Sequence, residues 1–311
     1  MISNRRLSII IPFYNVEQYI AQCLESVYDQ DISESEYEVI CVDDASPDNS
    51  IAIVEQYAKQ HSNLTIIRNH VNRKLGGARN AGLDVAKGKY VWFVDSDDMV
   101  ARNCLSKILF IAESQNLEIL HFNYVDYPNI NRLMFETEVV SGTELFFNSD
   151  FLWAHDLVTV WRKIYKRQFL LDKNIRFAEQ VMFEDGDFAL ETFANAKRVK
   201  HIPDVIYLYR INQESITRTK YTAEHIQYLI SLCHRLLMLK NRFLQEKKDI
   251  RYQNLIANYI KHTMQNVLNL YSALETKNKA SSRQMILKSI DASLKPFIPR
   301  LMYYKIKLHL I

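Results

Sequence analysis

Tyr90-Val91-Trp92-Phe93-Val94-Asp95-Ser96-Asp97-Asp98 joins an apolar run of strand length to three carboxylates within four residues. The run predicts a buried strand, and the carboxylates then lie at its carboxyl end. Ligands of an open α/β sheet sit outside the carboxyl ends of its strands. Three carboxylates placed there repel one another, and a divalent cation bridging a pyrophosphate would remove that repulsion. Hard cations such as Mg²⁺ bind through one or two carboxylates together with substrate phosphates. The competing reading is a polar turn capping the next helix, since Asp and Ser favour N-caps. A single Asp would suffice for that.

Working outward, the first hundred residues alternate strand and helix patterns. Leu7-Ser8-Ile9-Ile10-Ile11 predicts a strand stopped by Pro12, and Tyr19, Ile20, Cys23, Leu24 and Val27 then recur at helical spacing. Residues 37–42 and 64–67 read as further strands, separated by a helix with Ile51, Val54, Tyr57 and Ala58 on one face. The alternation predicts a mostly parallel sheet with crossover helices, and the near-continuous apolar strands predict a sheet covered on both faces. Beyond it, residues 117–122 and 205–209 read as strands and 141–148 as a helix. From about residue 221 the pattern becomes helical. Ile226, Leu229, Ile230, Cys233, Leu236 and Leu237 form one stripe, and a second runs from Leu255 to Tyr271.

Composition sets limits. A chain of 311 residues with 48% hydrophobic and 12% aromatic content is globular, not disordered. No apolar run approaches the length of a membrane span, and the apolar stretch after Arg5 and Arg6 is too short for a signal sequence. Four scattered cysteines with no CxxC pair predict reduced core thiols in a cytoplasmic protein. The net charge of +3 is unevenly spread: −4 over residues 1–110, −3 over 111–220 and +10 over 221–311.

Glycine is scarce, and four of the six glycines lie between 76 and 88. The segment from Asn72 to Gly82 reads as a loop entering a helix, whose N-terminus with nearby Arg suits a phosphate. Close helix–sheet packing by small residues is the alternative. Asp43-Asp44 ends the second strand. One of these carboxylates could accept from a base imide or ribose hydroxyl, or cap the following helix.

The ordered set Ser8-Ile9-Ile10-Ile11-Pro12-Phe13-Tyr14-Asn15, Val42-Asp43-Asp44-Ala45-Ser46, Gly77-Ala78-Arg79-Asn80-Ala81-Gly82 and Asp95-Ser96-Asp97-Asp98 resembles glycosyltransferase family 2, over roughly residues 7–215. The resemblance implies the inverting GT-A nucleotide-diphospho-sugar transferase fold, Rossmann-like, with residues 221–311 as a basic helical extension. It divides residues 1–220 into a nucleotide-sugar half to about 110 and an acceptor half beyond. By position, Pro12 and Tyr14 match the segment around the base, and Asp44 the carboxylate that recognises it. Asn72 and Arg79 match polar positions near base and diphosphate. Asp95 and Asp97 match the motif that holds Mn²⁺ or Mg²⁺, with Asp97 the direct ligand. Lys74 stands where the family often has glycine. Phe183-Glu184-Asp185-Gly186-Asp187 resembles the family's Glu-Asp motif, which makes Asp185 the catalytic base and Asp187 its alternative. The bare sequence would also allow a negative first helical turn there. Arg162 falls in a segment that supports the acceptor site, and Tyr207-Leu208-Tyr209-Arg210, followed by Ser215, in one that closes over the diphosphate, where Arg210 either grips phosphate or lies on the surface. The nine histidines show no metal-ligand spacing; each reads as structural, His155 and His201 lying in the acceptor half.

The resemblance thus implies sugar transfer from a nucleoside-diphosphate donor, UDP-linked, to a growing or lipid-linked glycan of the bacterial cell surface. A scaffold subunit that only binds nucleotide sugar is the alternative. A sugar nucleotidyltransferase would need a glycine-rich first loop, which is missing. The segment 295–311 mixes Lys and Arg with rings and aliphatics. It suits peripheral contact with the inner face of a membrane, packing on the catalytic domain, or homodimer formation. No nucleic-acid fold signature is present, so nucleic acid is not an expected partner.

Overall fold

The computed structural model describes residues 5–127, 136–148, 159–211, 222–274, 276–290 and 293–298. The chain divides into two compact units. One comprises Met1–Gln180 and Phe188–Asn212, the other Val181–Asp187 and Gln213–Ile311.

The first unit is built on an eight-stranded sheet. Its strands are β1 (Leu7–Phe13), β2 (Tyr37–Asp43), β3 (Leu64–Arg68), β4 (Tyr90–Phe93), β5 (Met99–Val100), β6 (Ile119–Tyr127), β7 (Lys163–Lys166) and β8 (Val199–Arg210), in the order β3-β2-β1-β4-β7-β6-β8-β5. β1 pairs in parallel with both β2 and β4, β2 with β3, and β6 with β8, whereas β7 runs antiparallel to β4 and β6, and β5 to β8. Helices α1 (Ile20–Tyr28), α2 (Ser50–Gln60), α3 (Lys74–Val85), α4 (Leu105–Ser114), α5 (Gly142–Asn148) and α6 (Arg167–Asp172) connect the strands. α7 (Asp185–Asn195) starts in the second unit and continues into the first.

Alternation along the strands sorts the core into two layers. Leu7, Ile9, Ile11 and Phe13 of β1 join Val39, Cys41 and Trp92 in a cluster with Ile20, Leu24 and Val27 of α1 and Leu105, Ile108 and Leu109 of α4. On the opposite face, a Cβ added to Gly82 of α3 would lie 2.4 Å from Ile10 Cγ2. Near it Phe93, Phe177, Phe188 and Tyr165 form a ring cluster, with Phe177 and Phe188 stacked 3.8 Å apart. The Trp92 indole N–H donates to the Trp161 carbonyl at 2.8 Å, which satisfies the one polar atom of a buried ring.

Pro12 does not stop β1, which runs on to Phe13 in register with Asp43. The physical reason lies in the neighbouring strand. Ile10 faces β4 and its carbonyl accepts from Val94, so Pro12, two residues on, also faces that side, where β4 has already ended. Its missing N–H therefore deprives no partner. β5, β7, α4 and α6 were not expected from periodicity.

The second unit holds α8 (Ala223–Gln245), α9 (Ile250–Ala273) and α10 (Thr276–Ser289). Four residues join α8 to α9, a connection that makes neighbours antiparallel. Ile226, Ile230, Cys233, Leu236 and Phe243 of α8 are buried with Ile256, Ile260, Met264, Val267 and Leu268 of α9. Thr222 and His225 form a capping box at the start of α8, and Asp249 caps α9 by accepting from the Arg251 backbone N–H. No described helix is long and apolar enough to cross a membrane. Residues 299–311 of the basic tail, together with His155 and Ser215, lie outside the described residues.

Candidate active site

In the strand order, β2 and β3 lie on one side of β1 and β4 on the other, so the chain reverses direction across the sheet between β1 and β4. This is the switch point at which open α/β sheets bind ligands. Three loops leave the carboxyl edge there: Tyr14–Asn15 after β1, Asp44–Ala45 after β2 and Asp95–Asp98 after β4. Pro12 is buried, while the Tyr14 ring is 48% exposed and offers a face at the mouth. The first two loops are tied together by the Asn15 N–H to Ser46 Oγ, Val16 N–H to Ser50 Oγ and Glu17 N–H to the Asp48 carboxylate.

Neither Asp43 nor Asp44 caps α2. Asp43 accepts from the Ser46 N–H, a turn within its own loop. Asp44 is buried, and its Oδ1 accepts from Asn69 Nδ2 and from the Arg73 backbone N–H, both at 2.8 Å. Its Oδ2 makes no hydrogen bond among the described residues. Asn72 accepts from the Lys74 N–H through Oδ1 and from the Gln180 side chain through its carbonyl.

α3 begins at Lys74, so Gly76 and Gly77 stand in its first turn and the loop is shorter than the sequence suggests. No described glycine has positive φ. A Cβ on Gly76 would lie 2.1 Å from the Ala178 carbonyl oxygen, so glycine here permits close approach. The Asn80 amide completes that contact, donating to the Phe177 carbonyl and accepting from the Phe177 N–H. Lys74 itself has φ 63°, the left-handed region that the usual glycine of this position would occupy without strain.

Arg79 is 1% exposed, pairs with Asp95 Oδ1 at 2.8 Å and lies 5.2 Å from the Phe177 ring centre. Asp95 to Asp98 form a turn, with the Asp98 N–H donating to the Asp95 carbonyl, and β5 follows; the tetrad caps no helix. Burial and then the Asp95 charge push the Asp97 carboxyl up to about 6. Burial, then the Asp97 and Asp95 charges, also raise Asp98 well above the usual carboxylate range, and it accepts from Tyr207 Oη and the Arg210 N–H, both at 2.7 Å. Tyr207 in turn accepts from the Asp95 N–H. Asp98 and Tyr207, neither of which carried a role in the sequence reading, thus fasten β8 to the acidic turn. Arg210 donates to the Asp97 carbonyl and to Gln22, and lies 5.4 Å from the Tyr19 ring centre. The structure therefore gathers Pro12, Tyr14, Asp44, Asn72, Arg79, Asp95, Asp97 and Arg210, from strand ends, loops and α3, at one end of one sheet. Arg162 is buried against the Phe122 carbonyl and the Tyr124 ring. His201 is fully buried with its Nδ1 2.8 Å from that of His121, and burial, then Arg162, lowers it to about 3, so it stays neutral inside the fold.

Asp185 belongs to the second unit and opens α7, where it and Asp187 face the helix N-terminus. Asp187 is held in a fork by Arg235 of α8, with Nε to Oδ2 at 3.1 Å and Nη2 to Oδ1 at 3.3 Å. Burial raises the Asp187 carboxyl, against the pull of Arg235. A Cβ on Gly186 would lie 3.0 Å from Tyr259 Oη of α9. Burial, then Asp187 and Asp185, push that phenol up to about 12.

Residues 8–180 match the family model Glycosyl transferase family 2, and the chain belongs to that family. It is 33% identical over 236 residues to the uncharacterized glycosyltransferase EpsJ of Bacillus subtilis, covering 71% of this chain and 66% of that one. Identity is 31% over 214 residues with the poly(ribitol-phosphate) β-glucosyltransferase of Bacillus spizizenii, 67% of this chain but only 33% of that protein. The match thus spans two thirds or less of these relatives. The crystal structure of Staphylococcus aureus TarS 1–349 in complex with UDP-GlcNAc superposes with a TM-score of 0.63 at 22% identity, covering 98% of this chain and 92% of that one. The fold is that of the GT-A nucleotide-sugar transferases.

Proposed function

We propose that the chain transfers a sugar, with inversion, from a UDP-linked donor to a hydroxyl of a cell-surface glycan. The observation that carries this reading is the convergence of Tyr14, Asp44, Arg79, Asp95 and Asp97 at the switch point of one sheet. Tyr14 offers a ring face to a base, and Asp44 keeps one oxygen for an imide or ribose hydroxyl while its other oxygen is fixed. Arg79 and Arg210 supply positive charge beside the acidic turn, where a diphosphate would lie. The UDP-GlcNAc complex of TarS and the GDP-Man and Mn²⁺ complex of the Pyrobaculum calidifontis mannosyltransferase, TM-score 0.55, support a nucleotide-sugar donor.

The residues fit a divalent cation. Asp97 is raised by burial and then by the neighbouring Asp95 charge, a repulsion that a cation would relieve. Among the described residues no third His, Cys, Asp or Glu completes a ligand set, so diphosphate oxygens would supply the rest. Mn²⁺ or Mg²⁺ held by Asp97 and Asp95 would neutralise the charge that develops on the leaving diphosphate.

Asp185 is the base in this reading. It takes the acceptor hydroxyl proton as the oxygen attacks the anomeric carbon, and the electron pair of the broken bond leaves on the diphosphate. Attack opposite the leaving group inverts the centre. Asp185 is taken as the base on its match to the family's Glu-Asp motif, while both oxygens of Asp187 are engaged by Arg235.

Thermal stability measured with UDP, GDP, CDP and dTDP, each with Mn²⁺ and with chelator, tests the donor site. A metal-dependent rise with UDP is expected, and no rise with any nucleotide would overturn the reading. Asp185→Asn should keep that response and lose transfer; full transfer by this variant would remove Asp185 from the role.

A further inference from the structure

The helical extension carries one side chain whose hydrogen bonds all go to the segment containing Asp185 or to its own helix. Arg235 donates from Nη2 to the Phe183 carbonyl at 2.8 Å, from Nε and Nη2 to the two Asp187 oxygens, and from Nη1 to Ser231 Oγ at 3.4 Å. The first two contacts bracket Glu184 and Asp185 in sequence. Phe183 has φ 61°. For a bulky residue that conformation is strained and persists only where the surroundings hold it. The Arg235 bond is to the carbonyl of that same residue. Tyr259, one helix further on, packs against Gly186, the residue between the two aspartates. Arg235 and Asp187 are mostly buried, with side chains 16% and 19% exposed, so the ion pair is better shielded than a surface pair.

We infer that Arg235 is a positioning residue, which holds the Phe183–Asp187 turn in the strained conformation that presents Asp185. The inference rests on reading Asp185 as the base. The rigid fork of a planar guanidinium matches both oxygens of a carboxylate while it also reaches the carbonyl, a geometry that the point charge of an ammonium does not reproduce. The helical extension is then part of the catalytic machinery, a role distinct from membrane contact or dimer formation.

The test compares Arg235→Gln, Arg235→Lys, Asp187→Asn, Asp185→Asn and the double variant Arg235→Gln/Asp185→Asn in the full chain. UDP release from UDP-GlcNAc, UDP-glucose and UDP-galactose is measured, together with the UDP-induced thermal shift and hydrogen exchange of the peptide over residues 181–187. Arg235→Gln and Asp187→Asn should each lower kcat about 10²-fold, the cost of a misplaced catalytic group, with donor KM and the UDP shift unchanged. Arg235→Lys should recover part of the loss. The double variant should be no slower than Asp185→Asn alone, because the two residues act as one unit. Exchange over 181–187 should rise in both Arg235 variants, while peptides of β1 keep the natural rate. Wild-type kcat in a folded Arg235→Gln or Asp187→Asn variant overturns the inference and leaves Asp185 as base. Wild-type kcat in Asp185→Asn overturns both. If Arg235→Gln does not fold, Asp187→Asn, which preserves shape and cuts the same fork, decides. If the natural chain releases UDP from none of the three donors, the donor reading fails, and unchanged exchange over 181–187 still overturns the positioning role.

Discussion

Asp97→Asn should make the ligand-free protein more stable while it disables the site. The folded structure holds the Asp97 carboxyl at about 6, against 3.8 for an ordinary aspartate, by burial and the Asp95 charge. The ionised form is therefore disfavoured in the fold. The penalty is absent below about 3.8, grows as pH rises from there to about 6, and is constant above. At one pKa unit per 1.36 kcal/mol it reaches about 3 kcal/mol at pH 7.5 and roughly half of that at pH 5. Asparagine keeps the shape and removes the charge, so the variant should exceed the natural chain by up to about 3 kcal/mol at pH 7.5, roughly 6–12 °C in Tm for a unit of this size. Urea denaturation of both proteins in chelator, at pH 7.5 and pH 5, reads the difference, and other titrating groups cancel between them. The same variant should lose the Mn²⁺-dependent stabilisation by UDP. Equal stability at pH 7.5, or a gap that does not shrink on acidification, would refute the electrostatic argument.

Two further predictions concern the start of α3. Gly76→Ala drives a methyl into the Ala178 carbonyl, a backbone group that cannot turn aside, and should cost about 2–3 kcal/mol or more in urea denaturation. Lys74→Gly should gain about 0.5–1 kcal/mol by the same measurement, because φ 63° suits glycine and strains lysine.

The sheet was legible because β1, β2 and β4 are largely apolar, and β2 and β4 lead into the carboxylates of the site. β7 and β5 were not, since four and two residues are too short for any periodicity to register. The acidic turn was legible as a charge cluster, yet its internal division of labour was not. The Asp98 carboxylate is set apart by accepting from Tyr207 and the Arg210 N–H, more than a hundred residues away in sequence. Asn80 stood inside a quoted motif, but its exchange of hydrogen bonds with Phe177 spans 97 residues. Arg235 left no signal at all, being one cation among many in a basic helix. The glycines were read as a phosphate-binding loop, with close packing by small residues as the alternative, and close packing is what Gly76 and Gly82 show. Of the nine described non-glycine residues with positive φ, four, Asn15, Ala45, Lys74 and Phe183, lie within two positions of a candidate site residue.

Residues 181–187 belong with helices that the chain makes later, and Arg235 lies 48 residues beyond Asp187. During synthesis a nascent chain that has emerged as far as Arg210 already holds every strand of the sheet, but not the guanidinium that bonds to Phe183 and Asp187. Domains fold as units from the N-terminus as the chain emerges. The sheet unit can therefore be complete on the ribosome while the turn bearing Asp185 still waits for its support. On the function proposed above, competence to bind a donor would precede competence to use it.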